Sequence, residues 1–407
     1  MLPINEKKLI LVLAGSHFCH IVDFMIMMPL GPQIVTDFGV DTSSFGLLIS
    51  AYTYSGAFSA IAVALILDRI PRRTVFLVIF SAFIVSAIAC AASQSYGQLL
   101  LARILTGAFG GVMGAVIHTL SGDFIPFERR GKAAGLILSA FSIASVLGVP
   151  LSLGIANLVG WRASFLFISL LGAILFVYAF SLVPTAVSHR SDQGVDGKAS
   201  TSPMTGLNEY LNSFFSMFSQ PNVLRSFALS MTVLFTSFIF IPYITLHLVN
   251  NIGVSSSSIP FVYLFGGAAT FFTSRLLGAA ADRYGKLETF RWVCLVSIVP
   301  LVLLPNLGPH SLLIVLLVTT IFFVFVSGRM VPLSASLISV TRPEYRGRFM
   351  AVNSSAQQIA MGTAAWLGGL ILQGVENGYF LVSVISVMTT ILAIVLSHKI
   401  QLMDKTG

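Results

Sequence analysis

The sequence predicts an all-α membrane protein of twelve transmembrane helices, arranged as two pseudo-symmetric six-helix bundles. Three observations lead there. Charged residues make up only 9% of the 407, against roughly 25% in an ordinary soluble domain, while 56% are hydrophobic and the mean hydropathy is +0.91. About twelve stretches reach the roughly 20 apolar residues that a spanning helix needs. Two charged markers recur at one offset, which is the sign of an internal duplication. Leu67-Asp68-Arg69-Ile70-Pro71-Arg72-Arg73 is answered about 214 residues on by Ala281-Asp282-Arg283-Tyr284-Gly285-Lys286, and Glu128-Arg129-Arg130-Gly131-Lys132 about 216 residues on by Glu344-Tyr345-Arg346-Gly347-Arg348.

The apolar stretches run at about 9–35, 44–67, 74–95, 98–121, 133–158 and 163–183, then at about 223–248, 258–281, 289–306, 311–335, 347–373 and 378–398. This divides the chain into a bundle over 1–183, a linker over 184–222 and a second bundle over 223–407. The linker is polar at first, with Ser, Thr, Gly and mixed charge. Met204, Leu207, Tyr210, Leu211, Phe214, Phe215 and Phe218 then recur at helical spacing, which predicts an amphipathic helix lying in the membrane interface.

Lys and Arg concentrate in alternate loops: Arg69, Arg72 and Arg73; Arg129, Arg130 and Lys132; Arg190 and Lys198; Arg283, Lys286 and Arg291; Arg342, Arg346 and Arg348. The intervening loops hold almost only Arg162. By the positive-inside rule both termini are cytoplasmic, and the expected location is the cell inner membrane. The net charge of +8 is a topology signal, and no nucleic-acid partner is expected. Lys7-Lys8 before an apolar run resembles a secretory leader, but the run is too long and carries Asp23, so it is read as the first span. Cys19, Cys90 and Cys294 fall inside spans at no ligand spacing and are read as packed thiols, with no disulfide or metal.

In the first span His17, His20 and Asp23 project along one side of a helix. A carboxylate near mid-bilayer costs several kcal/mol unless it meets water, a partner or a proton. Asp23 is therefore a candidate proton or substrate site, with His20 beside it; the plainer reading is a structural hydrogen bond. Pro29 and Pro32 predict a bend near the outer end. Arg103 in the fourth span matches Asp23 in depth. At about 1.5 Å per residue both lie roughly 21–22 Å above the inner boundary. A carboxylate beside this arginine would hold its proton differently once a conformational change separates them; a static ion pair is the alternative. Gly107 and Gly111, in Gly107-Ala108-Phe109-Gly110-Gly111, predict close helix packing. Gly148-Val149-Pro150-Leu151-Ser152-Leu153-Gly154 in the fifth span predicts a kink and a close contact. Trp161 and Arg162 suit an outer interface.

On these residues the chain resembles a transporter of the major facilitator superfamily, and within it the twelve-span drug and metabolite proton antiporters. Asp68-Arg69-x-x-Arg72-Arg73 is similar to the signature loop between spans two and three. Arg103 with Gly107 resembles the fourth-span motif, Gly148, Pro150 and Gly154 the fifth-span antiporter motif, and Asp23 with Pro29 and Pro32 the first-span motif. Ala64 and Pro71 stand where the signature has glycines, whereas Gly278 and Gly285 keep them in the second half; Val149 and Ser152 depart from the fifth-span pattern.

The resemblance implies a conformational gate at Asp68, Arg69, Arg72 and Arg73, echoed by Asp282 and Arg283. Asp68 could latch the halves together on the cytoplasmic side, helped by a helix dipole. Topology alone explains Arg129 and Arg130.

In the second half Arg275 and Arg329 lie in the cytoplasmic halves of spans eight and ten. They either snorkel to the interface or face a cavity, where they would favour anionic substrates or bridge to Asp123.

The expected function is proton-coupled export of a small amphipathic organic molecule by alternating access. A monomer in the lipid bilayer would do this with protons and substrate as its partners, no cofactor and no enzymatic activity. Import of an organic anion is one alternative. A transporter-like sensor or intramembrane enzyme is another, although no metal cluster, nucleophile elbow or nucleotide loop supports it.

Overall fold

The computed structural model describes residues 4–66, 70–184, 220–341 and 346–402, and all regular structure among them is helical. The first half contains α1 (Ile4–Ile26), α2 (Gly31–Phe38), α3 (Thr42–Ile66), α4 (Arg72–Ala92), α5 (Tyr96–Phe124), α6 (Phe127–Ile143), α7 (Val149–Val159) and α8 (Trp161–Leu182). The second contains α9 (Pro221–Phe238), α10 (Ile244–Asn250), α11 (Ile259–Tyr284), α12 (Lys286–Leu303), α13 (Leu312–Gly328), α14 (Met330–Leu337), α15 (Arg346–Gly374) and α16 (Gly378–His398). Nine stretches are long and apolar enough to cross a membrane among the described residues. The remaining crossing-length helices are α11, α12 and α15, with 26, 18 and 29 residues. They carry charges or polar side chains such as Arg275, Glu288 and Gln357 that dilute their apolar character. Asp68, Arg69 and the expected interfacial helix over 204–218 lie outside the described residues.

Four spans are broken, and proline accounts for most of it. Pro29 offers no N–H to the carbonyl one turn back, so α1 stops and the chain turns through Met27–Leu30 before Pro32 enters the first turn of α2. Pro150 acts likewise between α6 and α7. The helix widens into a single π-helical turn over Ala144–Gly148, which accommodates the missing donor. Pro242 lies in the 3₁₀ turn that joins α9 to α10. The fourth break falls at Arg329, between α13 and α14. At Gly160, φ is +103°, which lets α7 reverse directly into α8; a side chain would strain that turn.

Within the first half α3 and α4 flank α5, and α1 packs on α6 and α8; within the second, α9 packs on α15 and α16, and α13 on α11 and α12. The halves meet along two seams. α3 runs against α15, and α11 against α7 and the π-helical turn. Glycine sets the first seam: a Cβ on Gly46 would lie 2.7 Å from the Ala365 carbonyl oxygen, so the backbones touch there.

The hydrogen bonds that join the halves, among the described residues, lie at mid-height or at the end opposite the basic loops. Ser50 donates to the Gly362 carbonyl (2.7 Å), and the Tyr54 and Thr363 hydroxyls pair at 2.9 Å. Farther out, Gln373 donates to Asp41 Oδ2 (2.8 Å), and Asn157 to the Ser256 carbonyl (2.9 Å). These bonds tie the two halves together at the far end.

Candidate functional site

A cavity of about 920 Å³ lies between the halves. α1 supplies His17, His20 and Phe24; α3 supplies Tyr52, Thr53 and Val63; α5 supplies Gly111, His118 and Thr119; α15 supplies Met350, Ser354, Gln357, Gln358 and Met361. The ring centroids of Phe24 and Tyr52 are 5.3 Å apart, and Phe24 also reaches Phe238 of the second half at 6.0 Å. These rings form an aromatic wall on one side of the cavity.

Behind that wall sits the ion pair expected from depth. Arg103 donates from Nη1 to Asp23 Oδ2 over 3.0 Å, and both side chains are buried. The guanidinium lies 4.4 Å from the centroid of the Tyr52 ring, a cation–π contact that places Tyr52 between the pair and the cavity. The pairing is single and incomplete, because Asp23 Oδ1 and Arg103 Nε have no hydrogen-bond partner. A buried pair of this kind recovers little of its desolvation cost, and removal of one member costs about 3–5 kcal/mol because the other is stranded.

Glycines hold this arrangement together. A Cβ on Gly107 would lie 2.2 Å from the Tyr52 carbonyl oxygen, and one on Gly111 2.5 Å from Gly56 Cα, so α3 and α5 cross in backbone contact. That crossing fixes the Tyr52 ring over Arg103. Gly148 does the same for α1, where a Cβ would come 2.4 Å from Val22 Cγ2. The sequence expectation fails at Gly154. Nothing lies within 4 Å of a Cβ there, because α7 has already bent away past Pro150, so this glycine makes no close helix contact.

His17 Nδ1 and His20 Nε2 are 2.9 Å apart in a mutual hydrogen bond. His118 on α5 joins them, its ring centroid 5.9 Å from that of His17. Gly114 makes the room: a Cβ there would lie 3.3 Å from His17 Cε1. Sequence reasoning missed His118 and Tyr52. A histidine inside a span was the available signal for the first, but only the packing of α5 on α1 turns it toward His17.

The gate candidates divide. Arg72 forms an ion pair with Asp123, inside its own half. Arg73 donates to the Phe180 carbonyl (2.7 Å) and covers the Phe180 ring. Asp282 is exposed, and Arg283 lies over the Tyr284 ring at 5.2 Å. No bond joins Asp282 or Arg283 to the first half among the described residues. Asp123 is thus taken by Arg72 and does not bridge to Arg275 or Arg329, and Arg275 is exposed over Phe271. Arg329 corrects the snorkelling alternative. It is wholly buried, and donates to Ser237 Oγ (3.0 Å), Thr390 Oγ1 (3.2 Å) and the Val326 carbonyl (3.1 Å), with no carboxylate partner among the described residues. Arg129, read from sequence as topology alone, also pairs with Glu6 at 2.7 Å.

At the far end Trp161 Nε1 (3.1 Å) and Arg162 Nη1 (2.7 Å) both donate to Asp37, and these bonds hold its carboxyl below the usual range. Asp41 is pulled down to about 2, chiefly by the Ser44 backbone N–H.

The model of the Major Facilitator Superfamily matches residues 13–365 and 226–401. MFS-type transporter YfhI of Bacillus subtilis (strain 168) is 28% identical over 390 residues, covering 92% of this chain and 89% of its own. A probable sugar efflux transporter of Pasteurella multocida (strain Pm70) is 23% identical, with 84% and 80% covered. Among solved structures, a bacterial homologue of the human lysosomal transporter Spinster, inward-facing and occupied, aligns over 98% of this chain and 97% of that one, with a TM-score of 0.77 at 14% identity. The inward-open xylose transporter XylE from E. coli aligns over 95% of both chains with a TM-score of 0.73, also at 14% identity.

Proposed function

Given that the chain belongs to the Major Facilitator Superfamily, and is therefore a membrane transporter and not an enzyme, we propose that it exports a small amphipathic organic molecule in exchange for protons. The observation that carries this reading is the Asp23–Arg103 pair, buried one ring's thickness from the cavity between the halves. A carboxylate so placed changes its proton affinity when its arginine or its solvent access changes. Rocking of the halves about the α3–α15 seam would alter both, and so tie proton transfer to alternating access.

The Lys and Arg bias of the loops supports a cytoplasmic basic end, with both termini on that side and the protein in the inner membrane. Export is further supported by the likeness to the probable sugar efflux transporter of Pasteurella multocida.

The test is proton movement in proteoliposomes loaded with a pH dye, native protein against Asp23→Asn, as candidate compounds are added. Substrate-dependent flux in the native protein that vanishes in the variant is the expected result. Equal flux in both would remove Asp23 from the coupling mechanism.

A further inference from the structure

We infer that the transported molecule is an organic acid, and that its anionic headgroup docks on the imidazoles of His17, His20 and His118. The inference rests on the transport reading above and names the substrate class of the same cavity.

Three observations converge on it. The first is what the cavity wall offers. The described lining residues include three histidines and the amides of Gln357 and Gln358, but no Asp, Glu, Lys or Arg. A cationic substrate would find no carboxylate on this wall, because Asp23 is behind Tyr52 and committed to Arg103. A carboxylate would find N–H donors from two helices of one half and, across the cavity, the α15 amide N–H groups and the Ser354 hydroxyl. The bond between His17 and His20 takes one nitrogen of each ring and the N–H of one of them, so in the neutral pair a single N–H, on His17 Nε2 or His20 Nδ1, is left to donate to a ligand. His118 is exposed to the cavity and brings its own imidazole N–H.

The second is the charge balance of the interior. Asp23, Arg103 and Arg329 are the charged side chains buried throughout among the described residues. Asp23 offsets Arg103, while Arg329 rests only on hydroxyls and a carbonyl. One positive charge is left over in a low-dielectric interior, a balance that disfavours taking in a further cation.

The third is room. A volume of about 920 Å³ is near the upper end of small-molecule sites, which run to roughly 1,000 Å³. Past the imidazoles the wall is Phe24, Tyr52, Met350 and Met361, which suits an apolar or aromatic body attached to the acid.

The experiment uses the full chain in lipid nanodiscs and three probes of one shape, 2-naphthoate, 2-naphthamide and 2-naphthylmethylammonium, titrated by calorimetry. The acid is expected to bind about tenfold tighter than the amide, a difference of about 1.4 kcal/mol, and tighter again than the ammonium. His118→Gln, whose side chain makes no hydrogen bond to the protein, and His17→Gln should each bring the acid-to-amide ratio toward one. Thermal unfolding of both variants in the same nanodiscs controls for their folding.

An ammonium or amide that binds as well as the acid, no binding by any of the three, or an acid preference that survives in both His118→Gln and His17→Gln would each overturn the assignment. Proton flux with the same probes separates this from the transport reading. Flux driven by the ammonium or amide with no acid preference would remove the acid and keep coupled transport; acid preference with no flux would keep the site and remove coupling.

Discussion

Ser237 holds Arg329 as Asp23 holds Arg103. Each arginine sits on the fourth span of its half and reaches the first span of that half, with Nη2 to Ser237 Oγ at 3.0 Å and Nη1 to Asp23 Oδ2 at 3.0 Å. Ser237 follows Asp23 by about 214 residues, the offset that separates Asp68 from Asp282. The duplication thus extends to the buried polar centre, where the second half has a hydroxyl in place of the carboxylate.

Ser237→Asp should therefore be accepted and should raise the thermal midpoint, because it gives Arg329 the partner that Arg103 already has. Ser237→Val should lower stability by about 1–3 kcal/mol, since one guanidinium N–H then loses its acceptor in a buried site. Thermal unfolding of the two variants in detergent checks both signs. If acid binding rests in part on the unbalanced charge, Ser237→Asp should also weaken 2-naphthoate more than 2-naphthamide.

Removal of the carboxylate from the first pair strands Arg103. Asp23→Asn should cost about 3–5 kcal/mol, and the double variant Asp23→Asn, Arg103→Met should recover much of that loss while remaining inactive in proton flux. A double variant no more stable than Asp23→Asn would show that the pair is not the source of the cost.

Two glycines on one chain should respond in opposite directions. Gly107→Ala drives a methyl into the Tyr52 carbonyl and forces α3 and α5 apart. A cost of about 1–3 kcal/mol and loss of coupling are expected. Gly154→Ala meets nothing, and should gain about 0.5–1 kcal/mol from helix propensity. Unfolding midpoints and flux assays on the pair measure the contrast.

The far-end closure should be insensitive to mild acid. The folded carboxyl of Asp41 is depressed to about 2 from an ordinary 3.8, so its contribution is complete above the ordinary value and is lost only as pH falls through about 2. Asp41→Asn, by contrast, weakens the Ser44 and Gln373 bonds at neutral pH and should raise far-end opening. Spin labels on opposite far-end loops can be placed without background, because Cys19, Cys90 and Cys294 are buried; opening of the native protein at mildly acidic pH would contradict the assignment.

Composition and hydrophobic run length were enough for the membrane, the helices and the twofold repeat, because the bilayer demands internally satisfied backbone over a set length. Depth along a helix is a one-dimensional quantity, so Asp23 and Arg103 could be placed at one level before their contact was seen. Pro29, Pro32 and Pro150 announced their bends for an equally local reason: a missing N–H acts on its own turn. Azimuth is another matter. Whether His118 turns toward His17, whether Arg329 snorkels or is buried on Ser237 and Thr390, and that Gly154 abuts nothing all depend on how each helix is rotated against its neighbours. Rotation is set by contacts between residues far apart in the chain, such as Gly107 with Tyr52 and Gly46 with Ala365. Spacing along the sequence establishes which groups share a height and a face; only packing in three dimensions decides which faces meet, where the halves are tied together and what the cavity presents to a ligand.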